Sequence, residues 1–262
     1  FFFKQKTAYE ISTRGLEFRR VLFRSPPRML DHRRNRIGRL ACCALAMVGM
    51  AGEPTSVVPA PRAEPGAIER QDLLLKRVRE TTATGGVLFV GDSITQGWEG
   101  GGADAWKELL APLGAVNLGN SGDRTEHVLW RLQQAPLTAL KPRAIVLLIG
   151  TNNLGHRTSN AAETLAGVRK VVSALHEQCP QAKVVLMAIF PRGEQLNPMR
   201  GDVLQVNQAL MADAALGVTV VDLGPKFVAA NGDIRKELLP DALHLSPAAY
   251  RIWAEAVVPH VK

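Results

Sequence analysis

The sequence predicts a three-layer α/β/α sandwich built on a five-stranded parallel sheet. Three observations point there: five short runs rich in β-branched residues, helical patterns between them, and the near-continuous apolarity of several runs. Continuous apolar runs suit strands covered on both faces, as in parallel sheets. Strand and helix in alternation imply right-handed crossovers, with helices on both sides of the sheet.

The elements follow in order. AIERQDLLLKRVRETT places Ile68, Leu73, Leu74, Leu75 and Val78 near one face of a first helix. The strand runs are GVLFVG (86–91), AVNLG (115–119), RAIVLLIG (143–150), AKVVLMAIF (182–190) and GVTVVDL (217–223). Between them ADAWKELLAPL, TEHVLWRLQQA, AAETLAGVRKVVSALHEQ and MRGDVLQVNQALMADAAL read as helices, and SPAAYRIWAEAVVPHV closes the chain as another. Leu165, Val168, Val172 and Leu175 recur at intervals of three and four residues, one buried helix face. No internal repeat is visible.

The 262 residues carry a formal charge of +8, but unevenly. Eleven of the 32 basic residues fall within residues 1–51, against three of the 24 acids, so the remainder has no net charge. That removes the electrostatic case for a nucleic-acid partner. Residues 1–25 lack any periodicity and resemble translated sequencing-adapter read-through; the alternative is a genuine basic tail. Residues 29–51 have a basic stretch followed by the apolar run Leu40–Ala51, with small residues Gly49 and Ala51, the layout of a signal peptide. The run is short for a bilayer span, and Cys42 and Cys43 stand at its start, which opposes a lipoprotein anchor. The expectation is export to the periplasm or medium, with no stable membrane insertion after cleavage. Residues 52–66 hold four prolines and read as a linker, leaving residues 67–262 as one folded domain.

In open α/β sheets the functional site lies at the carboxyl ends of the strands. The first three predicted strands run into GDS (91–93), GNSGD (119–123) and GTNN (150–153), three glycine-punctuated polar stretches expected at one rim. Ser93 could be a nucleophile, or a helix N-cap with Gln96 completing a capping box; its own N–H, at a helix start, could also serve as an anion donor. DALHLSP (241–247) sets Asp241 and His244 three apart, so one carboxylate can orient an imidazole whose other nitrogen faces outward, as in a Ser-His-Asp triad. The bland alternative for His244 is a surface loop. His32, His127, His156, His176 and His260 offer no comparable pairing. Gly122 can present a backbone N–H and Asn152 a side-chain amide to an oxyanion; turn chemistry and an Asx cap are the structural alternatives. No set of His and Cys has metal-ligand spacing, so neither a metal nor another cofactor is expected.

The blocks GDSITQGW, NLGNSGD, GTNN and DALHL together resemble the SGNH hydrolases, or GDSL esterases, over roughly residues 68–258. HVLWRL (127–132), KPRAIVLLIGTNN and PRGEQLNPMR (191–200) are most similar to platelet-activating-factor acetylhydrolase catalytic subunits and their bacterial relatives. The resemblance implies a flavodoxin-like fold and ester hydrolysis by Ser93, His244 and Asp241, with an oxyanion hole from Ser93, Gly122 and Asn152. It also implies that Ile94, Thr151 and Leu243 wall a small acyl pocket, unless these are simply core residues. Two departures stand out: Ile94 where the motif names leucine, and Asn153 where many members have aspartate. The second leaves open how the oxyanion loop is braced.

The function expected is hydrolysis of short-chain acetyl esters through an acyl-enzyme, on carbohydrate O-acetyl groups given the export signal. A lysophospholipase or thioesterase, a non-catalytic glycan-binding domain, and acetyl transfer to a sugar acceptor remain open, though a binding domain has no reason to keep Ser93, Asp241 and His244 together. The partner expected is a small-molecule or glycan ester. The sequence leaves the oligomeric state undetermined, a homodimer included. Trp98, Trp106, Trp130 and Trp253 read as core, with a pocket or interface as the alternative.

Overall fold

The computed structural model describes residues 52–82, 84–135 and 137–262, so the stretches read as adapter sequence and signal peptide lie outside the described residues. Strands β1 (Val87–Gly91), β2 (Ala115–Gly119), β3 (Ala144–Leu148), β4 (Lys183–Met187) and β5 (Thr219–Val221) form one sheet in the order β2-β1-β3-β4-β5. Every pairing is parallel. Gly91 lies level with Gly119 on one side and Leu148 on the other, so β1, β2 and β3 release their chains at the same height.

Helices α1 (Pro65–Glu80), α2 (Ser93–Gln96), α3 (Ala103–Ala105), α4 (Thr125–Gln134), α5 (Thr151–Gly155), α6 (Ala161–Gln178), α7 (Pro198–Ala212), α8 (Gly224–Phe227) and α9 (Pro247–Val261) complete the described chain. The strand alternation divides two cores. Leu88, Val90, Ile145, Leu147, Val184 and Leu186 face a layer made by α1, α4, α6 and α7. Val87, Phe89, Val146, Val185 and Met187 face the other way, toward α9 and the segment around Trp98 and Trp106. That second core is aromatic: Trp253 packs 4.8 Å from Trp98 and 5.7 Å from Phe190, centroid to centroid. Trp98 and Trp253 are therefore core residues, as expected.

Three expectations need correction. In α1 the buried stripe is Ala67, Gln71, Leu74 and Val78, while Ile68 and Leu73 are 39% and 45% exposed. The helix turns a narrower face inward than its apolar residues suggested. ADAWKELLAPL is not one helix: after α3 a π-turn spans Trp106–Leu110, and a 3-10 turn at Ala111–Leu113 ends the element. Pro112 has no N–H to continue a helix, and Gly114 closes the turn at φ 65°. The third concerns residues 52–66, which are packed along the α4/α6 layer instead of being a free tether. Ser56 is buried, its hydroxyl donating to Glu163 O (2.7 Å) and its carbonyl accepting from Thr125 Oγ1 (2.8 Å). Ala60 N–H reaches Glu126 O at 3.1 Å.

The start of α2 is capped by Asp92, whose Oδ1 accepts the Ile94 N–H at 2.9 Å. Ser93 is thus the first residue of the helix and not its cap. Gln96 completes no box: its Oε1 accepts the Ser121 N–H at 2.8 Å. Asp92 is wholly buried, and its Oδ2 has no partner among the described residues. Burial, against the Ile94 hydrogen bond and aided by nearby Asp123, pushes its carboxyl up to about 7. Such an acid binds its proton more tightly folded than unfolded, so it weakens the fold progressively as pH rises from the unfolded value near 4 to about 7.

Two outcomes follow. Asp92→Asn keeps the cap acceptor and removes the charge, so its melting temperature, measured from pH 4 to 9, should gain on the parent up to about pH 7 and then run parallel to it; a constant difference across pH would refute the buried-acid account. Trp253→Ala, which empties the centre of the aromatic core, should cost about 3–5 kcal/mol in denaturant unfolding.

Candidate active site

The rim is built by three strand exits and one loop. The β1 exit leads straight into α2 and presents Ser93, half-buried, at the first helical position. The loop before α9 supplies the rest: Ser93 Oγ lies 3.0 Å from His244 Nε2, and His244 Nδ1 lies 2.6 Å from Asp241 Oδ2. The other carboxylate oxygen of Asp241 accepts the N–H groups of Leu243 (3.0 Å) and His244 (2.7 Å). Partial burial opposes ionisation of Asp241, but the His244 imidazole and these N–H groups outweigh it and hold the carboxyl below its usual range. With Asp241 on Nδ1, the imidazole leaves Nε2 free to accept a proton from Ser93.

The tightness of this loop comes from Ala242, which takes a left-handed φ of 60° between Asp241 and Leu243. Its N–H bonds Leu239 O (3.0 Å) and its carbonyl accepts from Gly193 (2.9 Å), so both sides hold a conformation that an alanine seldom adopts.

The β2 exit forms the loop Asn120–Asp123. Gly122 has φ 76°, a conformation that favours glycine, and the loop is closed by Asp123 N–H to Asn120 O at 3.1 Å. At the β3 exit Gly150, at φ 118°, turns the chain into α5. There Asn152 donates one amide N–H to Asp123 O at 3.0 Å. An amide nitrogen has two such hydrogens, so this bond orients the group and leaves the second available. Asn153 accepts the Thr125 N–H (3.0 Å) and donates to Thr125 Oγ1 (3.1 Å) and Glu126 Oε2 (3.2 Å). That is the brace the sequence left open.

Ser93, Asp241 and His244 are therefore joined by hydrogen bonds, while Gly122 and Asn152 meet through Asp123. Of the three residues expected at the acyl pocket, Ile94 is 1% exposed and sits in the aromatic core, and Thr151 is buried as well. Leu243 is half-buried against the same core. His127 is fixed otherwise: its Nδ1 accepts the Arg124 N–H (3.0 Å), and burial with the Arg124 charge lowers it to about 4.

Four residues have roles that escaped the sequence reading, which took Gln96 only for a capping-box partner. Gln96 holds the Ser121 N–H. Asp123 is buried and accepts from Arg131 Nε at 2.9 Å, and Arg131 also reaches Leu118 O and Gly91 O. The fourth, Arg62, contacts Ser121 O (2.8 Å) and Asp123 Oδ1 (3.3 Å). Asp123 and Arg131 had a signal, an acid in a strand-exit loop and a cation two turns along the next helix; Arg62, in a proline-rich stretch, had none.

Among the described residues no group of three or more His, Cys, Asp or Glu is placed to hold a metal ion. Nor is any helix among them long and apolar enough to cross a membrane. Cys179 is buried and unpaired.

Residues 89–252 match the GDSL-like Lipase/Acylhydrolase family. The human platelet-activating factor acetylhydrolase IB subunit alpha1 is 39% identical over 166 residues, 63% of this chain and 70% of that one. A GDSL-like lipase from Bacteroides thetaiotaomicron superposes with a TM-score of 0.63 at 19% identity, covering 74% of this chain and 98% of its own. An acetylxylan esterase from Geobacillus stearothermophilus gives 0.51 at 21% identity, over 69% and 95%. These last two show a shared fold. The extent of the family match, with the sequence relatives, leads to one conclusion: the chain belongs to the GDSL-like lipase/acylhydrolase family and is an ester hydrolase.

Proposed function

We propose that this esterase removes acetyl groups through an acyl-enzyme on Ser93, and that its natural esters are O-acetylated carbohydrates. The observation that carries the mechanism is the chain Ser93 Oγ···His244 Nε2 (3.0 Å) and His244 Nδ1···Asp241 Oδ2 (2.6 Å). His244 takes the serine proton as Oγ attacks the ester carbonyl, and Asp241 stabilises the imidazolium. The N–H groups of Ser93 and Gly122 and the free amide hydrogen of Asn152 receive the oxyanion. Collapse of the tetrahedral intermediate expels the alcohol with the proton from His244. Water, deprotonated by the same imidazole, then releases acetate.

Size selection follows from packing. Ile94 and Thr151 adjoin Ser93 and Asn152 in the chain and are buried, so the acyl side has little room to widen without disturbing the core. Asp241 and His244 are exposed, which leaves the alcohol side open to a bulky group. The similarity to an acetylhydrolase subunit and to an acetylxylan esterase supports the acetyl preference. Residues 29–51, read as an export signal, favour a glycan as the alcohol, because O-acetylated polysaccharides lie outside the cell.

Hydrolysis of p-nitrophenyl acetate, butyrate and octanoate is the test, followed by acetate release from acetylated xylan. Turnover should be fastest on the acetyl ester and absent in Ser93→Ala, and Asn152→Ala should lower kcat by roughly 10²–10³-fold. Preference for octanoate would overturn the acetyl reading, and serine-independent turnover would overturn the acyl-enzyme.

A further inference from the structure

Arg62 stands outside the family match at 89–252, in the proline-rich segment that packs on α4 and α6. We infer that this segment is a working part of the oxyanion hole, with Arg62 as a positioning residue for the Gly122 N–H. The inference rests on the esterase reading above.

The argument begins with a single peptide unit. The Ser121 carbonyl and the Gly122 N–H belong to one planar trans peptide, so they point in opposite directions and turn together. Arg62 Nη1 donates to that carbonyl at 2.8 Å. Fixing the oxygen fixes the N–H on the far side. The bond is also charge-assisted, and a hydrogen bond to an amide oxygen polarises the same amide's N–H, which strengthens it as a donor. Nη1 further contacts Asp123 Oδ1 at 3.3 Å, one residue beyond the glycine. The guanidinium therefore spans Gly122 on both sides.

The fit around the glycine is close. A Cβ at Gly122 would come within 3.0 Å of both Nη1 and Nη2 of Arg62, so the guanidinium lies directly over it. The arginine is itself held: its side chain is 10% exposed and Nε donates to Glu64 Oε2 at 2.9 Å. Pro59 and Pro61 restrict the approach to Arg62, and the buried Ser56 anchors the segment to Glu163 and Thr125. Such fixed dipoles act in catalysis because they need no reorganisation as charge develops. Gln96, on the Ser121 N–H, fixes the preceding peptide, and the Asp123 N–H bond to Asn120 O fixes the following one, while the peptide between them is held by Arg62.

The experiment compares the full chain with Arg62→Ala, Arg62→Lys and Ser93→Ala on p-nitrophenyl acetate, with melting temperatures recorded for each. Arg62→Ala should lose about 10–100-fold in kcat with KM within twofold, because only the transition state carries the oxyanion. Millimolar guanidinium should restore part of that loss, and Arg62→Lys should fall between. The rate at which a p-nitrophenyl methylphosphonate modifies Ser93 should drop in step with kcat, since the phosphonyl oxygen uses the same hole. If Arg62→Ala keeps its parental kcat, or loses rate only in proportion to folded protein with no guanidinium rescue, the inference falls. Should Ser93→Ala hydrolyse the ester as well as the parent, it is the acyl-enzyme reading that fails, a result distinct from any behaviour of Arg62.

Discussion

Asp123 has no solvent exposure, yet the ends of three strands are tied through it. One carboxylate oxygen takes Arg131, which also donates to the carbonyls of Gly91 at the end of β1 and Leu118 in β2. The other oxygen faces Arg62, and the backbone carbonyl orients Asn152 beyond β3. Burying a carboxylate costs several kcal/mol unless partners replace its water. Two guanidiniums do so here, and burial still opposes its ionisation. A charge held at that cost contributes less to net stability than to geometry: Arg131 could not remain where it is without it, and the loop carrying Gly122 would lose its register against β1.

The two halves of the site are built on different principles. The donors proposed for the oxyanion are the half-buried backbone N–H groups of Ser93 and Gly122 and the buried amide of Asn152, braced from several directions so that the dipoles are fixed in advance. Asp241 and His244 are exposed, and their geometry is local, set by two N–H bonds to one carboxylate oxygen and by the left-handed Ala242. Proton transfer requires only a correctly aimed imidazole, which a tight turn can supply. Charge stabilisation requires surroundings that do not relax, and those come from the sheet.

This division also explains what the sequence revealed. Strand runs such as RAIVLLIG were legible because a strand buried on both faces must be apolar throughout, and β3 falls inside that run as Ala144–Leu148. The Ser93, Asp241 and His244 constellation was legible because its partners are side chains at short spacing or at strand ends. ADAWKELLAPL misled because its periodicity is helical while Pro112 denies the closing hydrogen bonds. The prolines of residues 52–66 misled in a different way. They indicate an extended chain, and whether that chain is free or docked depends on what it meets; Ser56 and Arg62 find their partners some 60 to 110 positions away, beyond any local pattern.

Asn153 shows how the same physics selects a residue at the site's edge. Its amide must accept from Thr125 N–H and donate to both Thr125 Oγ1 and Glu126 Oε2. An aspartate could accept from the backbone but would set a second carboxylate against Glu126 across the 3.2 Å contact, in a region that already buries Asp92 and Asp123. Among the described residues Arg124 is the cation bonded to Glu126, and none besides it is there to compensate a further charge. An amide supplies both hydrogen-bonding senses without charge, so in this chain Asn153 is the neutral answer to an acid-rich floor, and the oxyanion loop keeps its brace because Glu126 carries the negative charge in its place.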